Sequence, residues 1–388
     1  MNLSMIRYIA GWILSFEAAF LSLPCLIALL YREKEGIAFV AVLLVCLAIG
    51  LLLVWKKPKN TVFFAKEGFV SASFCWIIMS IFGALPFVLC GDIPSFTDAL
   101  FETISGFTTT GASVLKDVES LSRCSMFWRC FTHWIGGMGV IVFLMTVLPL
   151  TGGSWIHLLR AESPGPSVGK LVPRMRHTAG ILYLIYLCMT IIEIVLLLFG
   201  GMNWFDAVTI SFGTAGTGGF SILNSGFVTY SSYVKIVVAV FMMLFGVNFN
   251  VYFLMLNRKF VQALRCEELR YYLMIIGIST LIITLNILSI CGSFGKALEE
   301  AFSTTTGFAS ADFNLWPQTS KTILVLLMFI GACAESTGGG IKVSRLVILI
   351  KTIRKELASI IHPRSVKKIK MEGKPVEHEV LRSTNVFM

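Results

Sequence analysis

Apolar stretches long enough to cross a bilayer recur along this sequence, at residues 5–31, 36–55, 68–89, 127–150, 179–199 and 233–256. In lipid every backbone N–H and C=O must find a partner inside the protein, and a helix of about twenty apolar residues satisfies that demand while spanning the hydrocarbon layer. With 56% hydrophobic residues and only 14% charged ones, a water-soluble globule is excluded. The expected fold is an all-α multi-pass membrane protein. The first run, at 5–31, is too long for a signal peptide's apolar region and is expected to remain as a span.

A short motif repeats in register with these runs. Thr108-Thr109-Thr110-Gly111-Ala112-Ser113 returns almost unchanged as Thr304-Thr305-Thr306-Gly307-Phe308-Ala309, and more loosely as Thr214-Ala215-Gly216-Thr217-Gly218-Gly219-Phe220-Ser221. Each copy follows an amphipathic stretch rich in Phe and Ala, at 96–107, 204–212 and 294–302, and precedes another apolar segment. The unit is therefore helix, pore half-helix, filter loop, helix, repeated around an ion path. An extended Thr/Gly backbone can turn its carbonyl oxygens toward a cation and replace the ion's water shell, and glycine permits backbone angles that a side chain would obstruct.

Charge fixes the expected orientation. Lys56, Lys57, Lys59 and Lys66 form one basic loop, Arg160, Lys170, Arg174 and Arg176 a second, and Arg258, Lys259, Arg265 and Arg270 a third. By the positive-inside tendency these loops and the N-terminus are cytoplasmic. Asp92, Asp98, Glu102, Asp117 and Glu119 surround the first Thr/Gly loop, and Glu299, Glu300 and Asp312 surround the third, giving an acidic outer mouth that concentrates cations. The net charge of +10 is spread over short loops, so nucleic acid is not an expected partner. The ten cysteines show neither metal-ligand nor disulfide spacing and read as small apolar side chains. Glu17, His133, Glu193 and Glu335 are too scattered for acid–base or metal chemistry, which argues against a membrane-embedded enzyme. His133 opens the glycine-rich stretch 133–139 and is expected at the interface or behind the filter rather than as a ligand.

Between the apolar runs 322–329 and 346–350 lies Gly331-Ala332-Cys333-Ala334-Glu335-Ser336-Thr337-Gly338-Gly339-Gly340-Ile341-Lys342. A continuous helix there would place several glycines and two charges at membrane depth. A broken helix with a loop below the filter is expected, since irregular backbone at that depth survives only in protein or beside water. Glu335 and Lys342 are the candidates for a charge relay, or for pairing with each other. Arg354, Lys355, Arg364, Lys367, Lys368 and Lys370 make the remainder a basic cytoplasmic segment suited to acidic lipid heads or a regulatory partner.

These residues resemble the TrkH/KtrB family of potassium uptake proteins, TrkH branch, most specifically over 108–113, 133–139, 217–221, 304–312 and 336–345. The resemblance runs to about Arg382. It implies four pseudo-repeats enclosing one ion path per chain, no cofactor, and potassium as the transported ion. It makes Gly111, Gly218 and Gly307 the filter glycines, with Thr109, Thr110, Gly216, Thr217, Thr305 and Thr306 presenting carbonyls to potassium, the only metal expected. Glycine at all three positions goes with potassium, because related plant transporters with serine at the first carry sodium. Gly338, Gly339, Gly340 and Lys342 would form an intramembrane gate. The resemblance also implies a homodimer in the bacterial cytoplasmic membrane, opened by a cytoplasmic nucleotide-binding ring of the TrkA type.

The expected organisation is an N-terminal hairpin at 1–60, pore repeats at 61–155, 156–262 and 263–352, and the basic segment at 353–388. Two departures from the family stand out. A fourth repeat is missing, so the expectation is a truncated member, with a non-conducting or regulatory subunit as the alternative. Glu335 stands where the family usually has a small residue.

Overall fold

The computed structural model describes residues 2–58, 65–147, 175–362, 368–376 and 378–387. Lys59, Arg160, Lys170, Arg174, Arg364 and Lys367 lie outside the described residues, as do the last residues of the span expected at 127–150 and the start of the second repeat. Among the described residues the chain is helical apart from one two-stranded ribbon. Packing divides it into two compact units, one ending at Gly226 and the other beginning at Phe227.

The first unit holds α1 (Leu3–Tyr31), α2 (Gly36–Val54), α3 (Ala65–Cys90), α4 (Phe96–Phe107), α5 (Arg123–Val147), α6 (Met175–Phe199) and α7 (Trp204–Ala215). Helices α1 and α2 form the expected hairpin. They approach so closely that a Cβ on Gly11 would lie 2.7 Å from Leu53 Cβ, and one on Gly50 2.9 Å from the Gly11 carbonyl. Their outer faces stay apolar, with Leu29, Ile37 and Leu52 all more than 70% exposed. Water would penalise that face; lipid accepts it.

Helix α5 is the centre of this unit. Every residue from Cys124 to Ile135 is buried, including Arg129 and His133, because α5 packs against α1, α4, α6 and α7 at once. Its rings interlock with theirs: Phe131 meets Phe212 with centroids 5.1 Å apart and Phe20 at 5.7 Å. Glu33, in the tight turn after α1, accepts from the Arg123 and Cys124 amides at 2.9 Å each. That carboxylate satisfies amides at the helix start that have no partner within the helix.

The second unit holds α8 (Ser232–Phe245), α9 (Phe249–Leu256), α10 (Phe260–Leu264), α11 (Glu267–Cys291), α12 (Phe294–Thr306), a 3-10 turn at Phe313–Leu315, α13 (Gln318–Phe329), α14 (Val343–Ile361), the ribbon β1 (Lys370–Met371) and β2 (Lys374–Pro375), and α15 (His378–Phe387). Among the described residues five helices, α1, α2, α3, α6 and α11, are long and apolar enough to cross a membrane, or six if α8 and α9 count as one span.

One feature departs from expectation. The run at 233–256 is not one helix: α8 and α9 meet at 89° across Gly246-Val247-Asn248. Asn248 ends the continuity because its side chain caps the Asn250 backbone amide at 2.9 Å, an arrangement that competes with a continuing helix. The C-terminal segment carries the Lys370–Pro375 ribbon and α15 after it.

Candidate functional site

Helices α4, α7 and α12 have 12, 12 and 13 residues, which at 1.5 Å per residue gives about 18–20 Å, too short for a membrane of about 30 Å. They are half-helices, and each delivers its C-terminus to a Thr/Gly loop. The carbonyl end of a helix carries partial negative charge and favours a cation nearby.

In the first loop Thr109 and Gly111 have positive φ, +55° and +74°; in the second, Thr217 and Gly219 have +54° and +83°. Turn hydrogen bonds set the correspondence. Thr108, Thr109 and Thr110 amides donate to Ile104, Gly106 and Ser105, while those of Gly216, Thr217 and Gly218 donate to Phe212, Thr214 and Gly213. Thr109 therefore matches Thr217, and Gly111 matches Gly219. Gly218 takes the place of Thr110. Sequence alone does not reveal this register, because Gly216, Gly218 and Gly219 all suit a filter.

The two loops touch. A Cβ on Gly111 would lie 1.7 Å from the Gly218 carbonyl oxygen, so at that point only glycine fits. Behind them α5 serves as a common backing. A Cβ on Gly106 would meet Thr132 Oγ1 at 2.0 Å, one on Gly216 the His133 carbonyl at 2.4 Å, and one on Gly218 the His133 ring at 2.3 Å. His133 stacks on Phe220 with centroids 4.0 Å apart. It lies behind the second Thr/Gly loop and supports it by packing.

One polar bridge crosses this backing. Glu102, on α4, accepts from Ser113 Oγ at 2.6 Å, the Val114 amide at 2.7 Å and Arg129 Nε at 2.8 Å. Arg129 donates through Nη1 to the Ser221 carbonyl at 3.0 Å and lies 3.7 Å from the Phe220 ring centroid. Both side chains are at most 2% exposed. Sequence reading placed Glu102 with the outer acidic residues and did not single out Arg129; an arginine inside an otherwise apolar run was the available signal. Outside the loops, Asn224 donates to Asp117 at 2.7 Å and accepts from the Val118 amide at 2.8 Å. The Asn224 contact chiefly holds the Asp117 carboxyl below its ordinary value.

The third copy, in the second unit, has a different backbone. Helix α12 runs through Thr305 and Thr306, and only Gly307, at φ +131°, breaks it. The threonines tolerate helix because their hydroxyls return to carbonyls one turn back, Thr305 to Ala301 and Thr306 to Phe302.

The segment between α13 and α14 is irregular, as expected, and it is built rather than slack. The Gly331 amide donates to the Ile341 carbonyl at 2.8 Å and the Ile341 amide to Phe329 at 3.0 Å, closing the loop at its base. Gly340 has φ +73°, and a Cβ on Gly331 would lie 1.9 Å from the Gly339 carbonyl. Gly338 is buried, whereas Gly339 and Gly340 are exposed. The break between α8 and α9 grips this loop: Cys333 donates to Gly246 at 3.0 Å, and Phe249 to the Glu335 carbonyl at 3.1 Å. Glu268 of α11 accepts from the amides of Ala334 at 2.7 Å and Ser344 at 3.0 Å. Glu335 and Lys342 do not pair with each other; Glu335 accepts from the Asn250 side-chain Nδ2 and Lys342 donates to the Gly338 carbonyl. Glu17, Glu193 and His133 are fully buried in the first unit.

Re-entrant half-helices, glycine-lined loops and a broken span define a polytopic membrane protein of the channel-like transport class. Comparison with known proteins supplies the family. A family model named TrkH and described as a cation transport protein matches residues 35–291 and 295–388. The Trk system potassium uptake protein TrkH of Escherichia coli K12 is 34% identical over 400 residues, covering 99% of this chain and 82% of that relative. Trk system potassium uptake protein TrkG of the same strain is 33% identical, covering 100% and 83%. The crystal structure of the potassium transporter TrkH from Vibrio parahaemolyticus superposes with a TM-score of 0.88 at 32% identity, covering 100% of this chain and 82% of that one. The chain belongs to the TrkH family of cation transport proteins.

Proposed function

We propose that this chain carries potassium across the bacterial cytoplasmic membrane, using carbonyl oxygens of its Thr/Gly loops as the selectivity filter. The observation that carries the reading is the contact of Gly111 with the Gly218 carbonyl, where two glycine loops at the negative ends of half-helices leave no room for a side chain. Thr109, Thr110, Gly216, Thr217, Gly218 and, by its backbone match to Gly111, Gly219 form two walls. Thr305, Thr306 and Gly307 of the second unit carry the third copy, its threonines still within the helix where Thr109 and Thr217 turn left-handed. Relatives named for potassium uptake, similar over almost the whole chain, support potassium as the ion.

The loop between α13 and α14, with Gly338, Gly339, Gly340 and Lys342, is the gate in this reading. The domain plan in this reading is a hairpin followed by three pore repeats. A homodimer, a cytoplasmic nucleotide-binding ring of the TrkA type and contact with membrane lipid complete the proposal. The Trk system named for the relatives supports a multi-component assembly.

The test is Gly111→Ser. A hydroxymethyl group placed against the Gly218 carbonyl separates the two walls, so rubidium uptake should fall relative to sodium uptake by about tenfold, or ~1.4 kcal/mol of barrier difference. Unchanged discrimination at normal protein abundance rules out the filter.

A further inference from the structure

Nine residues before Gly111, Gly219 and Gly307 stand Glu102, Ile210 and Leu298. Two of these half-helices thus carry an apolar side chain where the first carries a buried carboxylate. The carboxylate's contacts have a pattern. Glu102 holds Ser113, two residues past Gly111, and Arg129 holds Ser221, two residues past Gly219. In the register fixed by the turn hydrogen bonds these are equivalent positions. The bridge Ser113–Glu102–Arg129–Ser221 therefore ties the two filter walls together at matched points.

We propose that the Glu102–Arg129 pair is a specificity-determining positioning pair, which sets the spacing and register of the first two filter loops and thereby their preference for potassium over sodium. Neither side chain acts as an ion ligand in this scheme: Glu102 is consumed by three donors and Arg129 is a cation. A filter distinguishes ions through the number and placement of its carbonyl dipoles, and a bridge that bonds both loops limits how far they separate. Packing seats the loops against α5, and the Asn224 contacts join the chain beyond them; the ion pair links the two loops themselves. A buried pair adds little to stability over an apolar substitute, so its value here lies in position.

The proposal rests on the filter reading, and its test separates the two. Rubidium-86 binding to the purified full chain in detergent is competed with potassium and with sodium, a readout that does not depend on conduction. Glu102→Gln keeps an acceptor for Ser113 and Val114 but turns amide donors toward Arg129, cutting only the link. The ratio of sodium to potassium concentrations needed for half-displacement should fall about tenfold, equivalent to ~1.4 kcal/mol. The double variant Glu102→Gln/Arg129→Gln leaves no unpaired charge and should show the same fall even if the single variant folds poorly.

If Gly111→Ser shifts the ratio while both link variants bind with the wild-type ratio, the pair is structural and the proposal is overturned, with the filter intact. If none of the three shifts it, or the unmodified chain binds neither ion, the filter reading fails as well. Weaker binding of both ions in equal proportion, or loss of both link variants from the membrane, also overturns a specificity role.

Discussion

Gly218 sits with its α-carbon against the His133 ring, and a methyl group there would overlap Nε2, Cε1 and Cδ2 together. The ring cannot retreat readily, since Phe220 stacks on it at 4.0 Å. Gly218→Ala should therefore lower the melting temperature of the purified protein by an amount corresponding to about 1–3 kcal/mol, the usual cost of overpacking. His133→Ala in the same background should recover part of the loss. Gly277, in α11 with open space around it, is the control; alanine there should be neutral or stabilising by up to about 1 kcal/mol. If Gly218→Ala melts like Gly277→Ala, His133 does not back the loop closely. The same scale marks the limit of sequence reading. The hexamers at 108 and 304 are nearly identical as text, yet only the first bends at its second threonine. Which threonines join the helix is decided by where their hydroxyls find carbonyls and by what packs behind them, and neither is written in the motif.

At the scale of elements, the half-helices and the broken last span of the third repeat were legible because local composition forces them. Amphipathic stretches of a dozen residues cannot span, and three glycines with two charges cannot rest in lipid as a helix. The break between α8 and α9 was not legible, because the run stays apolar on average. Gly246, Asn248 and Asn250 were its trace. The pair of breaks grips itself through Gly246–Cys333 and Phe249–Glu335, and the loop's base is already closed between Gly331 and Ile341. The segments on either side run parallel at that base, so excision of residues 334–340 is made with a short glycine linker joining Cys333 to Ile341. If this loop occludes the path, the excision should raise rubidium flux per protein in the membrane several-fold or more, leaving the rubidium-to-sodium ratio nearly unchanged. A well-inserted deletion with unaltered flux disproves the gate.

For the whole molecule, orientation is an expectation from loop charge, and contacts inside each unit say which segments must share a side. Glu33, in the turn after α1, caps α5, which requires the turn at 32–35 and the start of α5 to share a side. In the second unit Glu267, at the start of α11, holds Lys351 and the Glu372 amide of the ribbon, placing basic segments together. Single cysteines near Lys57 and Lys259, in a chain freed of its ten native cysteines, should react with impermeant thiol reagents only from the cytoplasmic side. Those near Asp117 and Asn224 should react only from outside. Labelling of both sets from one face overturns the topology. The central place of α5 also carries a consequence for synthesis. Helix α4 leaves the ribosome before α5, yet the partner of its Glu102 and the surface that receives Gly106 both belong to α5. A half-helix of about 18 Å with an unmatched carboxylate has no stable place in lipid. The first Thr/Gly loop is expected to settle only once α5 has emerged, and the second is then laid against a helix already in place.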